Sequence, residues 1–274
     1  MQLGIFAKTF SAQGAALVLN AVHAAGYETA QFNMACVGLP SMPAEISPSA
    51  ISEISAASRF SGVSIAAISG TYNMAHPDPA VRADGLRRLG VIIANSKAMG
   101  TNLVTLCTGS RDPIDQWRFH KDNATKEAWR DMRDEMVKAL ELAEAYSVEL
   151  GIEPELANIV SSADHAKKLI DEMKSPRLKI VLDPANLFEI ETKRMCREII
   201  SGAVDILGGH IAMAHAKDRN PMGEFVAAGT GVVDFEHFIN CLKQSGFDGP
   251  LITHGLSEDE APSVAAFLKM QLVK

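Results

Sequence analysis

The segment GVSIAAIS, residues 62–69, contains the pattern that decides the fold: a glycine followed directly by a short apolar run. A glycine after a helical stretch is the usual left-handed helix end, and the apolar run is typical of a buried strand. The same pattern occurs in GYETAQFN (26–33), GTNLVTLC (100–107) and, less regularly, GFDGPLITH (246–254). The first glycines of the segments at 26, 62 and 100 are 36 and 38 residues apart, which is the length of one strand–helix unit.

Apolar runs of this kind alternate with helical patterns along the whole chain. The predicted strands are LGIFA (3–7), ETAQFN (28–33), VSIAAIS (63–69), NLVTLC (102–107), VELGIE (148–153), LKIVLD (178–183), IAMAHA (211–216) and PLITH (250–254). Eight strand–helix units predict an α/β fold, a single (β/α)8 TIM barrel that forms one domain over residues 1–274. A doubly wound open sheet is the alternative, but the first predicted strand is not followed by the glycine-rich phosphate turn of that fold.

Composition and charge exclude several classes of protein. The chain has 274 residues, of which 47% are hydrophobic, and a net charge of −7, so a nucleic-acid partner is not expected. No apolar stretch reaches 18 residues, which argues against a membrane span, and MQLGIFAKTF is typical of a strand rather than a signal peptide. The four cysteines form no CxxC pair and are predicted to be reduced thiols in a cytoplasmic protein. Assembly into a homo-oligomer is left open.

Histidines are sorted by their place relative to the strand ends, because a TIM barrel builds its active site at the carboxyl ends of its strands. His76, His120, His215 and His254 fall at or beyond such an end. The other four lie within helical stretches or at the opposite rim and are expected to be structural or solvated: His23, His165, His210 and His237.

Carboxylates show the same preference for the strand ends. Glu153 closes the fifth predicted strand and Asp183 the sixth, and both would be costly to bury unless paired or bound to metal. His215 and His254 follow on the next two strands. Two carboxylates with two imidazoles suit a divalent ion such as Mn²⁺, Co²⁺, Fe²⁺ or Zn²⁺, and suit Mg²⁺ less well. These four residues are therefore the predicted metal ligands.

Further polar residues at this rim are predicted to contact a substrate. They are Asn73, His76, Arg111, Trp117, His120, Glu155, Asn186, Lys217 and Arg219. In the alternative interpretation, Lys217 and Arg219 pair with the two strand-end carboxylates and no metal is bound. Trp117 lies in a long loop after the fourth strand, which is either a lid over a polar ligand or a surface loop whose Trp packs on the next helix.

Four motifs together resemble the sugar phosphate isomerase/epimerase family, the xylose isomerase-like barrels that are related to the family 2 AP endonucleases. They are IEPE on the fifth strand, LDPANL on the sixth, HAKD on the seventh and GTGVVDF before the seventh helix. The resemblance extends along essentially the whole chain. It implies a metal held by Glu153, Asp183, His215 and a residue of the eighth strand. Ketose epimerases of the family usually have Glu where this chain has His254, and often have His where it has Asn186.

The chemistry that the resemblance implies is proton transfer next to a carbonyl through a metal-stabilised enediolate, with Glu153 and His254 as the candidate catalytic residues. The predicted function is a metal-dependent isomerase or epimerase of a small sugar, sugar phosphate or hydroxy-ketone. One alternative is a dehydratase of a cyclic polyol or keto acid, of the inosose or dehydroshikimate type, because His254 leaves the second base an imidazole or missing. Another is a non-catalytic sugar-binding barrel with a decayed metal site. DNA repair is disfavoured by the acidic charge.

Overall fold

The computed structural model of the protein describes residues 1–273, and these residues form ten strands. They are β1 (Gln2–Phe6), β2 (Thr29–Phe32), β3 (Ser64–Ser69), β4 (Leu103–Leu106), β5 (Glu149–Ile152), β6 (Leu178–Leu182), β7 (Ile211–Ala216), β8 (Asp218–Arg219), β9 (Phe225–Val226) and β10 (Pro250–Thr253). All except β8 and β9 pair in parallel and close a barrel in the order β1-β10-β7-β6-β5-β4-β3-β2. The predicted TIM barrel is confirmed.

An outer layer of helices covers the barrel. The helices are α1 (Ala15–Ala24), α2 (Pro48–Ser61), α3 (Pro79–Ser96), α4 (Lys126–Tyr146), α5 (Ala163–Met173), α6 (Lys193–Leu207), α7 (Phe235–Gln244) and α8 (Ala261–Leu272). Asp78 and Asp234 begin α3 and α7, because each side chain accepts a hydrogen bond from a backbone N–H of the first turn. Among residues 1–273, no helix is long and apolar enough to cross a membrane.

Apolar side chains fill the barrel on both sides of the sheet. One cluster packs the strands against the helices, and a second cluster inside the barrel consists of Ala67, Leu103, Val181, Met213 and Ile252. Gly4 leaves room for this packing, since a Cβ there would lie 2.4 Å from the side chain of Ile252. Because apolar side chains fill the interior of the barrel, a polar site has room only at the ends of the strands.

The observed elements differ from the predicted ones in two respects. Glu153, Asp183 and His254 each follow their strand by one residue instead of closing it. The antiparallel hairpin of β8 and β9 was not predicted, because strands of two residues leave no periodic signal. The glycines predicted to end helices do have left-handed backbones, as Gly26 (φ 92°) and Gly62 (φ 73°) illustrate.

Candidate metal centre

Four side chains meet at the carboxyl end of the barrel. Glu153 follows β5, Asp183 follows β6, His215 lies in β7 and His254 follows β10, and these four strands are consecutive neighbours in the sheet. Each residue offers one ligand atom, and the four atoms lie within 4.8 Å of one another. The parallel register of adjacent strands thus brings together residues that are up to 101 positions apart in the sequence.

Asp183 is the most enclosed member of this cluster, with a side chain that is 0% exposed. Its Oδ1 accepts a hydrogen bond from the backbone N–H of Ala185. Its Oδ2 lies 3.0 Å from His254 Nε2 and 3.2 Å from Lys217 Nζ. Burial alone would raise the pKa of Asp183, but Lys217 and the two histidines lower it well below its usual range.

Glu153 is held by two neighbours. Asn186 Nδ2 donates to Glu153 Oε1 at 2.7 Å, and His215 Nδ1 lies 3.2 Å from the same oxygen. Burial opposes ionisation of Glu153, but His215 and Lys217 outweigh it and lower the pKa below its ordinary value. Glu153 is therefore a carboxylate at neutral pH.

The pairing of rim cations with the two carboxylates is seen only in part. Lys217 Nζ lies 3.2 Å from Asp183 Oδ2 and donates to Asn186 Oδ1 at 2.8 Å. Arg219 is used elsewhere, since its guanidinium donates to the backbone oxygens of Ala185 and Gly223. Among residues 1–273, Lys217 is thus the one Lys or Arg side chain that lies within 4.0 Å of either carboxylate.

The donor set fits a divalent ion with mixed oxygen and nitrogen preference. Two ligands that each lie about 2.1 Å from one ion can be at most about 4.2 Å apart, so the observed spacing requires only a small inward movement of side chains. Burial, and then electrostatic interaction with the neighbouring His215, lower the pKa of His254 below 6.5, so its imidazole is neutral and can ligate at neutral pH. Both the spacing and the chemistry of the four side chains therefore fit a divalent metal ion.

A cavity of about 530 Å³ opens above this cluster, which is within the usual range for a small-molecule site. Its lining includes Lys8, Gln31, Trp117, Glu153, Glu155, His215, Lys217, Phe225 and His254. Phe225 belongs to the β8–β9 hairpin, and the ammonium of Lys217 lies 3.9 Å from its ring centre. Phe6, Trp117 and Phe225 give the cavity aromatic surface next to its polar groups.

Six residues that were predicted to contact the substrate do not line this cavity: Asn73, His76, Arg111, His120, Asn186 and Arg219. Asn186 and Arg219 instead bond to their neighbours, Glu153 and the backbone oxygen of Ala185. Asn73 and His76 hold the loop after β4, through hydrogen bonds to Ser110 N and Pro113 O respectively. Arg111 pairs with Asp131 of α4 at 2.8 Å, and His120 accepts from the backbone of a short helical turn. Asn73, His76 and His120 thus hold the long loop in place and Arg111 ties it to α4, which position relative to a strand end could not reveal.

Most of the other residues that line the cavity escaped the sequence-based prediction, and three of them bear on the chemistry of the site. Gln31 lies inside β2, Lys8 follows β1, and Phe225 is part of the unpredicted hairpin. Gln31 could have been noticed in the sequence, because it is the one amide side chain in the buried strand TAQF (29–32).

Glu155 has an unusual proton affinity. Burial, and then repulsion by Glu153, raise the pKa of Glu155 to about 7 from an ordinary 4.5. Below pH 4.5 the carboxyl is neutral in the folded and the unfolded chain. As the pH rises toward 7 the unfolded chain ionises first, so ionisation of Glu155 disfavours the folded state at higher pH.

We therefore expect Glu155→Gln to stabilise the metal-free protein at pH 8, by on the order of 2 kcal/mol, and to have little effect near pH 4.5. Urea unfolding of both proteins with a chelator present, at several pH values, measures this difference. A stabilisation that is the same at every pH would show that the ionisation of Glu155 is not its source.

The fold and the cluster together define the class of protein: a TIM barrel with a metal-capable Glu/Asp/His/His set at its catalytic face. Residues 19–270 match the model of the xylose isomerase-like TIM barrel family, and the chain belongs to that family. An L-ribulose-5-phosphate 3-epimerase, UlaE of Escherichia coli (strain K12), is 30% identical over 199 residues, which is 71% of this chain. The matched region spans 65% of the length of that relative.

Solved structures of several barrels have the same fold. An L-ribulose 3-epimerase superposes with a TM-score of 0.76 at 20% identity, over 99% of this chain and 94% of that one. The IolI protein, solved with a zinc atom, superposes with a TM-score of 0.75 at 16% identity, over 100% and 98%. At such identities the superpositions support the fold and not a particular reaction.

Proposed function

We propose that the protein is a divalent-metal-dependent isomerase or epimerase that moves a proton on the carbon next to the carbonyl of a small sugar. The observation that carries the proposal is an ionised carboxylate, Glu153, held beside three further ligand side chains at the floor of a sugar-sized cavity. The name of the relatives, L-ribulose-5-phosphate 3-epimerase, makes a phosphorylated ketose the first substrate to test.

The proposed ligands of the ion are Glu153, Asp183, His215 and His254. The donors suit Mn²⁺, Co²⁺, Fe²⁺ or Zn²⁺. When bound, such an ion polarises the carbonyl and hydroxyl oxygens of a substrate and so favours loss of a neighbouring proton.

Glu153 is the proposed base. Its lowered pKa keeps it ionised at neutral pH, and the hydrogen bond from Asn186 fixes one of its oxygens. Lys217 in turn donates to the amide oxygen of Asn186, so a chain of two hydrogen bonds positions the carboxylate from behind. A base held in this way can take the proton without first reorienting.

His254 is the second proposed proton-transfer group, and the remaining cavity residues are proposed substrate contacts. Epimerisation returns a proton to the opposite face of the carbon, and the group that delivers this proton must first hold it. His254 is proposed for this step in its protonated form, detached from the ion, with the proton taken up from solvent. Glu155 and Lys217 are proposed to bind substrate oxygens, while Trp117 packs against the substrate from the rim of the cavity.

Two alternatives make different predictions. A decayed sugar-binding barrel would have lost part of its ligand set, yet both carboxylates and both imidazoles remain within 4.8 Å of one another. A dehydratase would share the base but would release water from the substrate.

The proposed setting is the cytoplasm, where the free cysteines would stay reduced.

Incubation with Mn²⁺ and L-ribulose 5-phosphate in D₂O tests the proposal. We expect deuterium at the carbon that inverts, together with the 3-epimer, and a loss of both in Glu153→Gln by about 10²–10⁴-fold. Unphosphorylated L-ribulose, run in parallel, measures the contribution of the phosphate. Formation of a product that has lost water would support the dehydratase, and the absence of exchange with a panel of ketoses, ketose phosphates and hydroxy-keto acids would contradict the proposal.

A further inference from the structure

Gln31 of β2 contacts His215, one of the proposed metal ligands. Its side chain is 7% exposed, and its Oε1 lies 2.8 Å from Nε2 of His215. The other ring nitrogen, Nδ1, faces Glu153 Oε1 at 3.2 Å and Asp183 Oδ2 at 3.8 Å. The imidazole thus has one nitrogen toward the ligand cluster and the other toward an amide.

The amide is held in turn by two neighbouring strands. Gln31 Nε2 donates to Ser69 Oγ of β3 at 3.1 Å and to Thr105 Oγ1 of β4 at 3.2 Å. With both amide hydrogens used in this way, the oxygen of Gln31 is the group presented to His215. The β2–β3 register also shifts between Ala30 and Gln31, and irregularities of this kind often re-aim a side chain next to an active site.

A histidine that binds a metal through one nitrogen must carry its proton on the other, and a hydrogen-bond acceptor there fixes the tautomer and the ring orientation. Gln31 Oε1 is such an acceptor, and it is uncharged, buried and oriented by its own partners. We propose that Gln31 is the positioning residue of the metal centre, which holds His215 in the Nε2–H tautomer and leaves Nδ1 free to ligate. The inference rests on the proposed metal site and assigns to Gln31 a role in it.

Two substitutions by residues of similar size separate the effect of the hydrogen-bond acceptor at position 31 from the effect of side-chain volume. Gln31→Glu keeps an oxygen toward His215, and the hydroxyls of Ser69 and Thr105 can rotate to donate to its second oxygen. Gln31→Met fills the space without an acceptor. We expect Gln31→Met to weaken Zn²⁺ and Mn²⁺ binding by roughly 10–100-fold, and Gln31→Glu to retain affinity to within a few-fold of wild type or better.

Chelator competition at pH 8 measures these affinities in wild type and both variants. In ¹⁵N spectra of the Zn²⁺-loaded protein, the Nε2–H signal of His215 should be protected from solvent exchange in wild type and Gln31→Glu and lost in Gln31→Met. Thermal melts with chelator report any purely structural cost. If wild type binds no metal, the proposed function fails. If it binds metal and Gln31→Met binds equally well, the role of Gln31 is refuted and the metal site stands.

Discussion

Asp183→Asn is expected to abolish metal binding and to lower kcat/KM by at least about 10³-fold. The substitution deletes a ligand and places a hydrogen-bond donor where the cluster needs an acceptor. Oδ1 of Asp183 is fixed by the backbone N–H of Ala185. An Asn would keep its oxygen on that bond and turn its NH₂ toward Lys217 and His254, where Oδ2 now accepts. The substitution thus preserves the local turn and abolishes the ligand.

Asp78→Asn is the matched control. Asp78 also accepts a backbone hydrogen bond next to a proline, but it begins α3 and lies outside the cavity. Asn is as good a helix cap as Asp, so fold, metal content and activity should all stay at the wild-type level. Isothermal titration with Mn²⁺ and steady-state kinetics on the two variants give the comparison. Retention of full metal affinity in Asp183→Asn would remove this residue from the ligand set.

His254→Gln is expected to weaken metal binding by at least roughly 10–100-fold while changing the melting temperature of the metal-free protein little. The imidazole makes one polar contact, with Asp183, and a glutamine amide can replace it as a donor. As a ligand, however, the amide is much poorer than an imidazole. His254→Glu supplies a carboxylate, the residue usual at this position in the ketose epimerases that the chain resembles, and should retain metal.

The same variants test the pH dependence of binding. Since the pKa of His254 is lowered, the imidazole is neutral at pH 7 and becomes protonated only below 6.5, so metal affinity should fall on that side. His254→Glu replaces this imidazole by a carboxylate and should therefore make the pH dependence of metal binding shallower. Metal titrations from pH 5 to 8 measure both slopes. Unchanged affinity of His254→Gln together with a lowered melting temperature would make His254 an ordinary core histidine.

Strand-end position was enough to predict the four clustered residues. Glu153, Asp183, His215 and His254 lie at or next to the carboxyl ends of four strands that are neighbours in the barrel, so topology alone brings them together. Helix-ending glycines and apolar runs predicted the eight strands of the barrel and their order, because both reflect local backbone preference and burial.

The residues that support the site depend on tertiary contacts and were harder to predict. Gln31 was missed because an amide within a buried strand carries no charge and belongs to no motif, although it contacts His215. Arg111 and His120 were expected at the substrate, but Arg111 pairs with Asp131 of α4, and His120 accepts a backbone hydrogen bond within the loop after β4. Proximity to a strand end in the sequence predicts the location of a side chain well for the first one or two residues after the strand. It predicts the location poorly further along a long loop.

The location of a bound ion tests the central claim most directly. Crystals grown with Mn²⁺, measured at the manganese absorption edge, should show one strong anomalous peak per chain, bounded by Glu153, Asp183, His215 and His254. Lys217 Nζ should then remain bonded to Asn186 Oδ1, its partner beside the cluster. A map with no peak at this position, or with its strongest peak among surface carboxylates, would contradict the account.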